Sequence, residues 1–496
     1  MTFSTPCFPA WQPNFAPGAR RRSSLVRALR PATLAQIEER FAEALPKALL
    51  VQNASKAYCR ERIFTLYRTV WCWIWQVLQG ATSCREVVRQ VQALFALHQA
   101  GAVDEATGAY CQARGKLPPA LLATLLAASF ASAEKAARTL AQPLLGGRAL
   151  RVADASGARL GDTPANRAAY PPSSNLPAGT GFPFLRIVAL FSLASGALLA
   201  QATGSLHTGE LRLWLELLPA LRPGDILLAD RAYGLYVVAA LLQAAGVDLL
   251  STVPARRRRV DFRKAKKRLG PRDALFVWKK PARGSALLAA AHWSALPEEL
   301  TVRLLRVAIQ RRGFPPRHFC IVTTLLDPVL YPAAEIVAAH ARRWRMEVTL
   351  DDLKTTLGME QLRCQKPAMV QKELLIFLIA HNLIRWLMAK AATHGPAELA
   401  QISFKGTLDG LRQWSQAMAQ HRAHGHRCTQ LWLLLLHSIA ADALPSRPDR
   451  HEPRAVKKRS KYPHLNQPRR LYHGRWNRTK RRRIANAKKR SAPPLN

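Results

Sequence analysis

The sequence predicts an α/β fold, with helices before a strand-and-helix layer and a basic region after it. Over residues 33–142, apolar side chains recur at the 3–4 spacing of amphipathic helices. After Gly147, short apolar runs alternate with helical segments, which is the pattern of an α/β layer. Between residues 255 and 317, charged strand-like pieces interrupt this alternation. We therefore expect a helical N-terminal domain, an α/β domain with a β-rich insertion, and a C-terminal region.

Residues 1–145 are expected to form the helical domain. Leu34–Phe41 begins an amphipathic run, and Ile63–Leu78 contains three tryptophans at alternate positions. A helical domain that reads DNA fits this region, but any helical bundle gives the same pattern. The sequence here predicts the secondary structure and leaves the function open.

Two apolar strands in the next region are each expected to end at an aspartate. The first is Leu150–Asp154 and the second is Asp225–Asp230. The other elements expected around them are a hairpin, two helices and a strand: Arg186–Leu193 with Ala197–Thr203, Leu211–Leu218, Tyr236–Ala245, and Val247–Val253. Because strand ends in an α/β sheet bring functional groups into one crevice, Asp154 and Asp230 are candidates for a shared metal site. Either aspartate alone is more simply explained as a turn residue or a helix cap.

The insertion at residues 255–317 is rich in lysine and arginine and includes a run of four consecutive arginines. Its strand-like pieces are Ala274–Trp278 and Leu300–Ala308. Trp278 and Trp293 are either platforms on which an unpaired base stacks or ordinary core residues. The composition predicts a basic β insertion in either case.

A strand over Phe319–Leu325 is expected to lead into one long helix over residues 332–357. Five polar residues of this helix fall on one stripe, at steps of three or four: His340, Arg343, Glu347, Asp351 and Lys354. A solvated stripe of charges is the ordinary explanation. However, acids at i and i+4 repel each other, and a metal ion facing them would relieve the repulsion. Asp351 is a candidate helper of Glu347, whereas Asp352 points about 100° away around the helix.

The charge of the chain predicts a polyanionic partner. Its 74 lysines and arginines outnumber its 31 aspartates and glutamates, which gives a net charge of +43. Residues 446–496 alone carry 18 basic and two acidic residues, and we expect this tail to order on a phosphate backbone. Charge does not by itself choose among DNA, RNA and an anionic membrane surface.

The sequence favours the cytoplasm as compartment. Residues 1–22 carry proline, glycine and arginine where a signal peptide needs an apolar core. The longest uncharged run, Ile187–Gly209, is better explained as two strands than as a membrane helix. The eight cysteines are scattered without a C-x-x-C pair, so reduced, buried thiols are expected. One group of closely spaced residues has the residue types that bind zinc: His421, His424, His426 and Cys428. Its spacing lacks the regular pairs of a zinc site, so a solvated loop is expected.

Taken together, Asp154, Asp230 and Glu347 resemble the ordered carboxylates of the DDE transposases of bacterial insertion sequences. The resemblance is to the IS-four-type group, whose signature is Tyr, two residues, Arg, three residues, Glu, six residues and Lys. Four residues match this spacing, with histidine in place of tyrosine: His340, Arg343, Glu347 and Lys354. Further similar segments are Asp230–Gly234, Thr323–Asp327, Lys372–Leu374, and Pro453-Arg454 running on to Lys461–Pro463. The resemblance covers roughly residues 35–465.

The resemblance implies a ribonuclease H-like catalytic core over residues 146–395, acting on the phosphodiester bonds of double-stranded DNA. Asp154, Asp230 and Glu347 would be the catalytic residues and would bind two Mg²⁺ ions, for which Mn²⁺ can substitute. It also implies a homodimer in the synaptic complex and a hairpin intermediate at the transposon end.

DNA contacts follow from the same resemblance. Arg343 and Lys354 would hold phosphates, the first with a planar fork and the second as a point charge. His340 would take over the contact of the family's tyrosine. The other residues expected to bind DNA are Arg231, Tyr233 and Trp278. Residues 396–496 would form a helical region and a basic tail.

The expected function is that of a DNA transposase that binds the terminal inverted repeats of its element, cuts there and joins the free 3′ ends to a target. It would act on the nucleoid in the cytoplasm, without a membrane. The first alternative is an inactive or domesticated relative that binds DNA without cutting it. The second is a basic nucleic-acid-packaging protein, which the ordered carboxylates disfavour.

Overall fold

The computed structural model describes residues 37–52, 63–97, 101–140, 143–174, 180–254, 260–311, 314–343, 345–421 and 424–445. Several sequence predictions lie outside these ranges: the basic tail over 446–496, the run of four arginines after Ala255, and the similar segments Pro453-Arg454 and Lys461–Pro463. Within the described ranges, helices surround one nine-stranded sheet, so the predicted mixed α/β class is confirmed.

Helices precede the sheet, as predicted. In chain order they are α1 (Ile37–Arg40), α2 (Lys47–Gln52), α3 (Leu66–Leu78), α4 (Cys84–Leu97), α5 (Gly108–Lys116) and α6 (Pro119–Ala137). The side chain of Thr65 caps α3 by accepting a hydrogen bond from the Arg68 amide at 3.2 Å. Trp71 and Trp73 are each 1% exposed, so the tryptophan-rich helix is a core element.

The nine strands form one continuous sheet in the order β3-β2-β1-β4-β5-β9-β8-β7-β6. They are β1 (Leu150–Arg159), β2 (Phe184–Ser192), β3 (Leu198–Ser205), β4 (Ile226–Leu228), β5 (Asp248–Thr252), β6 (Lys267–Gly270), β7 (Asp273–Lys279), β8 (Glu299–Arg311) and β9 (Phe314–Thr323). β1, β4 and β5 are parallel, and β2 and β3 are antiparallel additions beside β1. β9 lies antiparallel to β5, and β8, β7 and β6 continue from it. The two strands predicted in the insertion therefore exist, and they extend this same sheet.

Helices cover both faces of the sheet. They are α7 (Pro164–Ala169), α8 (Glu210–Leu215), α9 (Tyr236–Ala244), α10 (Ala290–Ser294), α11 (Ala333–Arg342), α12 (Arg345–Asp351), α13 (Pro367–Ala392), α14 (Phe404–Gln420) and α15 (Gly425–Ala441). Val152 of β1 belongs to the core that contains α13, and the next residue, Ala153, belongs to the core that contains α9. Because successive strand residues point to opposite faces, burial on both sides explains why the strands are apolar throughout.

β1 does not end at Asp154, and that prediction was wrong. The strand continues to Arg159, because β2 pairs with it as far as the partners Arg159 and Phe184. Its other neighbour, β4, is much shorter. A charged residue does not end a strand when a paired neighbour supplies the hydrogen bonds beyond it.

The single helix predicted over residues 332–357 is also wrong, because the segment is divided. α11 ends at Arg342, α12 begins at Arg345, and a π-helical turn covers Asp352–Thr356. Hydrogen bonds in a π-helix close over five residues instead of four, so the stripe of an unbroken α-helix does not continue to Lys354. The spacing of polar residues runs across both breaks and therefore could not reveal them.

Two described helices have the length and composition of a membrane span, namely Pro119–Ala137 and Pro367–Ala392. Of the apolar stretch in α13, 83% is buried inside the protein. α6 lies along α13 and packs against it. α13 is therefore the central core helix of the fold.

Candidate active site

The pairing of β1 with β4 brings Asp154 and Asp230 to the same level of the sheet. Val152 lies opposite Leu228 in this parallel pair, and each aspartate follows two residues later in the chain. Neighbouring strands are about 4.8 Å apart, so the two aspartates are neighbours where β4 ends. The structure thus brings together two residues that the sequence predicted to share a site.

Backbone amides hold both aspartates. Asp154 Oδ1 accepts a hydrogen bond from the Ala155 amide at 2.8 Å, and Asp230 Oδ1 accepts one from the Ala232 amide at 2.6 Å. Asp230 in this way caps the short 3-10 helix Arg231–Tyr233. Each of these two hydrogen bonds uses only the Oδ1 atom of the carboxylate.

The turn that carries Asp230 lies close against β5. A Cβ atom at Gly234 would come within 2.3 Å of the Thr252 carbonyl oxygen, so only glycine fits there. The Ser251 hydroxyl donates a hydrogen bond to the Asp230 carbonyl at 2.6 Å. β5 therefore fixes the turn at both of its ends.

Glu347 approaches the aspartates from a helix. α12 packs on β1, and the charge of Glu347 contributes to raising the pKa of Asp154. Glu347 Oε1 lies 3.6 Å from Arg343 Nη2, and the glutamate side chain is 44% exposed. Glu347 is thus held by an ion pair with a residue one turn away, and the strands do not hold it.

The three acids are within electrostatic reach of one another. Burial is the main cause that raises the pKa of Asp154, and Glu347 and Asp230 raise it further, while the Ala155 amide and Arg343 lower it. Within the described part of the chain, no three His, Cys, Asp or Glu side chains converge closely enough to hold one metal ion. The three carboxylates are therefore neighbours that do not meet at a common point while Glu347 is paired with Arg343.

Behind α12, a buried ion pair anchors the π-helical turn. Asp352 Oδ2 lies 3.0 Å from Arg385 Nη2, which also donates to Thr349 Oγ1 at 3.0 Å. The Arg385 guanidinium lies over the Phe404 ring, 5.2 Å from its centroid. Burial raises the pKa of Asp352 to about 6, although Arg385 opposes the shift. Asp352 faces the core and Asp351 is exposed, as their angular separation predicts.

His340 and Lys354 lie on different parts of the divided helix. The His340 ring packs on Phe319, with 5.7 Å between the ring centroids. Burial, with a smaller effect of Arg343, lowers the pKa of His340 to about 4, so the imidazole is neutral at physiological pH. Lys354 belongs to the π-helical turn and is partly exposed. Their DNA contacts stay predictions.

Arg231 and Tyr233 face in different directions. Arg231 is exposed beside Asp230. Tyr233 is 0% exposed, and its ring packs edge-on against Trp214. The prediction that Tyr233 contacts DNA is therefore wrong, because this side chain fills the core that contains α9.

One acid at the site was not expected from the sequence. Glu210 is the first residue of α8, and its Oε1 accepts a hydrogen bond from the Tyr233 hydroxyl at 2.9 Å. Burial raises the pKa of Glu210; the Tyr233 bond opposes this, and the charges of Asp230 and Asp154 add to it. A glutamate at a helix N-terminus is ordinary in a sequence, so only the fold could place it here.

Trp278 and Trp293 lie at the edge of the core that contains α9, and both are half-buried. Trp293 packs against Tyr236, with 6.2 Å between the ring centroids, and the Lys280 ammonium lies 5.9 Å from its ring. Trp278 lies on β7 opposite Leu300. Neighbouring side chains thus engage Trp293, and Trp278 stays the candidate platform for a base.

The histidines near α15 do not gather into a metal site. The Cys428 thiol donates to the carbonyls of Met418 and His421 at 3.4 and 3.2 Å, while His424 and His426 are exposed. Among the residues with described positions, no zinc-like cluster forms. The prediction of a solvated loop was wrong for His426 and Cys428, because both lie in α15.

Lys372 and Glu373 are structural in this protein. The Lys372 ammonium donates to the Gly115 carbonyl at the end of α5, at 2.7 Å. The Glu373 carboxylate accepts hydrogen bonds from the amides of Arg363 and Cys364 at 3.0 and 2.9 Å. The pair therefore joins α13 to the helices before the sheet and to the loop after the π-helical turn.

Comparisons with known proteins agree with this arrangement. The model of the transposase DDE domain matches residues 146–383, a range that contains Asp154, Asp230 and Glu347. This domain match and the similarity to an IS4 transposase support a DDE-type DNA transposase. The chain is 29% identical, over 310 residues, to transposase InsG of the insertion sequence element IS4 from Escherichia coli (strain K12), which covers 62% of this chain and 67% of that protein.

A solved structure was also found to be similar. It is the cryo-EM structure of the piggyBac transposase synaptic complex with hairpin DNA, with a TM-score of 0.39, 10% identity and 88% of each chain covered. The family assignment predicted from the sequence is confirmed by the domain match and by the IS4 relative. DDE transposases act on DNA with divalent metal ions, so DNA is the partner and a divalent ion the cofactor class.

Proposed function

We propose that this transposase binds the terminal inverted repeats of an insertion sequence, cleaves the DNA there and transfers the free 3′ ends to a target. Asp154, Asp230 and Glu347 are its catalytic residues. The register of β1 and β4 carries the proposal, because it sets two carboxylates side by side at one edge of the sheet. The packing of α12 on β1 adds the third carboxylate.

The catalytic domain is proposed to be ribonuclease H-like, over residues 146–395. The order β3-β2-β1-β4-β5 supports it, with β2 antiparallel to both β1 and β3 and with β1, β4 and β5 parallel. In open α/β sheets, functional groups gather at the carboxyl ends of the parallel strands. Asp230 follows the end of β4, and Asp154 lies beside it in the middle of β1. In this proposal, the β-rich insertion consists of the strands that lie within residues 255–317, which continue the sheet beyond β9.

The donor set fits hard divalent cations, and we propose two Mg²⁺ ions with Mn²⁺ as a substitute. Mg²⁺ prefers carboxylate oxygen and water, and Asp154 and Asp230 each keep one oxygen that no amide occupies. Neighbouring carboxylates repel one another, and a bound cation removes that conflict. When bound, the ions activate the attacking water or 3′-hydroxyl and stabilise the leaving oxygen. Glu347 must leave Arg343 to join the aspartates.

Release of Glu347 frees Arg343 for DNA. A guanidinium without its carboxylate partner presents its planar fork to a phosphate, and Lys354 adds a point charge from the π-helical turn. Arg231, exposed beside Asp230, lies where a bound strand passes the carboxylates. His340 contributes an uncharged ring, because its pKa is lowered to about 4. Trp278 is the platform for an unpaired base.

The remaining parts of the chain are assigned by their composition and position. Residues 1–145 are proposed to bind the transposon ends, and residues 396–496 to add a helical region and a basic clamp on DNA. Two copies of the chain form the synaptic complex. The enzyme acts on the nucleoid in the cytoplasm and needs no membrane.

The decisive experiment compares Asp154→Asn with Asp162→Asn. Asp162 lies three residues after β1 and pairs with Arg167 at the surface, so its substitution removes one acid near the domain but outside the site. Both proteins are tested on a duplex that carries the inverted repeats flanking the gene. We expect Asp154→Asn to bind this duplex normally without cutting it in Mg²⁺ or Mn²⁺, and Asp162→Asn to bind and cut like the wild type.

Unchanged cutting by Asp154→Asn would refute the assignment of the three carboxylates. A wild-type protein that binds the repeats and never nicks them in either metal would instead indicate the inactive relative. The DNA beside the gene adds a separate check, because paired inverted repeats bounded by short direct repeats are expected there.

A further inference from the structure

We propose that Glu210 is a positioning residue of the active site, which fixes the turn carrying Asp230 by accepting the hydrogen bond of Tyr233. The inference rests on the proposed function, because it assumes that Asp230 binds the catalytic metal. It goes further in assigning a task to an acid that no part of the transposase signature contains.

The turn after β4 is rigid around Asp230 but depends on Tyr233. Asp230 Oδ1 accepts from the Ala232 amide at 2.6 Å, and the Tyr233 amide donates to the Asp230 carbonyl at 3.1 Å. The Tyr233 ring is fully buried and packs edge-on against Trp214, with 5.7 Å between centroids. A shift of Tyr233 as a whole would therefore also shift the backbone amide that it donates to the Asp230 carbonyl.

Glu210 connects this turn to the other side of the site. α8 packs on β2 and β3, and its residues Leu213 and Trp214 are each 1% exposed, so the helix is firmly seated. Glu210 Oε1 accepts the Tyr233 hydroxyl at 2.9 Å. The hydrogen bond thus joins the antiparallel half of the sheet, which contains β2 beside Asp154, to the turn that contains Asp230.

The placement of Glu210 needs a reason beyond ordinary packing. Its carboxylate is half-buried, and Asp230 and Asp154 both act on its charge, so keeping an acid here costs stability. Metal ligands are commonly oriented by such supporting hydrogen bonds, and losing one typically lowers metal affinity or activity about 10–100-fold.

The test compares four substitutions in the full-length protein. Glu210→Ala removes the acceptor, Glu210→Gln keeps an acceptor oxygen but removes the charge, and Tyr233→Phe removes the donor. Glu335→Ala is the matched control, because Glu335 also accepts a hydrogen bond from another element, the Leu145 amide at 2.9 Å, away from the site. Mn²⁺ binding is measured by electron paramagnetic resonance without DNA, and cleavage of the repeat duplex is measured separately.

We expect Glu210→Ala and Tyr233→Phe each to weaken Mn²⁺ binding and cleavage about 10–100-fold. The double variant Glu210→Ala/Tyr233→Phe should lose little more Mn²⁺ affinity and cleavage activity than either single variant, because both substitutions remove the same hydrogen bond. Glu210→Gln should stay within about threefold of the wild type, since its amide oxygen can accept the Tyr233 hydroxyl. Glu335→Ala should bind Mn²⁺ like the wild type.

If Glu210→Gln and Glu210→Ala lose Mn²⁺ affinity equally, the proposal is overturned, since the charge of Glu210 and not its hydrogen bond would then matter. Wild-type Mn²⁺ binding in Tyr233→Phe would overturn it as well, even if Glu210→Ala proved too unstable to study. Asp230→Asn separates the two hypotheses: if it leaves Mn²⁺ binding unchanged, the metal-site proposal itself fails. If it abolishes binding while Glu210→Ala has no effect, only the role of Glu210 fails.

Discussion

The two aspartates and the glutamate of the candidate site are held in different ways. Asp154 is fixed by strand pairing and Asp230 by the turn after β4, and each carboxylate accepts a hydrogen bond from a backbone amide on one oxygen. Glu347 lies on a divided helix, is 44% exposed, and is paired with Arg343. Under the proposed function, the strands form a preorganised half of the metal site, whereas the helix supplies a third carboxylate that has to exchange its partner.

The largest expected effects separate these two halves. Asp230→Asn should abolish Mn²⁺ binding by the free protein, while Glu347→Gln should weaken it only severalfold, because Glu347 is paired with Arg343 before DNA binds. Both substitutions should lower cleavage on the order of 10³-fold, since loss of a metal ligand removes several kcal/mol of transition-state stabilisation. Paired titrations and cleavage assays measure this, and equal losses of Mn²⁺ binding would contradict a preformed half-site.

The helical part of the candidate site, α12 with the π-helical turn, depends on the buried ion pair between Asp352 and Arg385. Asp352→Ala leaves Arg385 buried without a carboxylate partner, and we expect a loss of about 3 kcal/mol in the free energy of unfolding. Removing the more exposed partner Asp162 from Arg167 should cost less than about 1 kcal/mol. Urea unfolding of both variants tests this difference. Equal stability of the two would mean that the buried pair does not anchor the π-helical turn.

His340 should make the free energy of unfolding of the protein depend on pH. Its pKa is about 4 in the folded protein and 6.5 as a free side chain, so folding favours the neutral ring. This stabilisation is complete above pH 6.5 and is lost as the pH falls toward 4, by about 1–3 kcal/mol. His340→Tyr has no such titration and restores the signature residue. The difference in unfolding free energy between the two proteins should therefore change between pH 6.5 and pH 4, and a constant difference would contradict the burial of the ring.

The smallest effect concerns the arginine that pairs with Glu347. Arg343→Gln should weaken binding to the repeat duplex and reduce the slope of log affinity against log salt by about one, as expected for one lost phosphate contact. Arg159→Gln is a suitable control, because Arg159 is exposed at the end of β1 and lies 3.9 Å from Glu360. An unchanged salt slope in Arg343→Gln would exclude a phosphate contact by this residue.

Most of the secondary structure could be predicted from the sequence, because apolar spacing reports which residues face a core. The strands around Asp154 and Asp230 and the helices described between Ile37 and Ala137 were predicted in this way. The end of β1 could not be predicted, because the strand continues only as long as β2 pairs with it. The end of α11 at Arg342 was hidden in the same manner, since the polar stripe runs past it without a proline or glycine.

The sequence by itself determined the residue types, their order and the charge, and these were enough to indicate a metal-dependent enzyme that acts on DNA. Only the tertiary structure decided which side chains share the site. It brought Glu210 to the turn after β4, buried Tyr233 and turned Asp352 to the core, because each placement depends on contacts between residues far apart in the chain. Local spacing carries the periodicity of single elements, and it contains no information about which elements become neighbours.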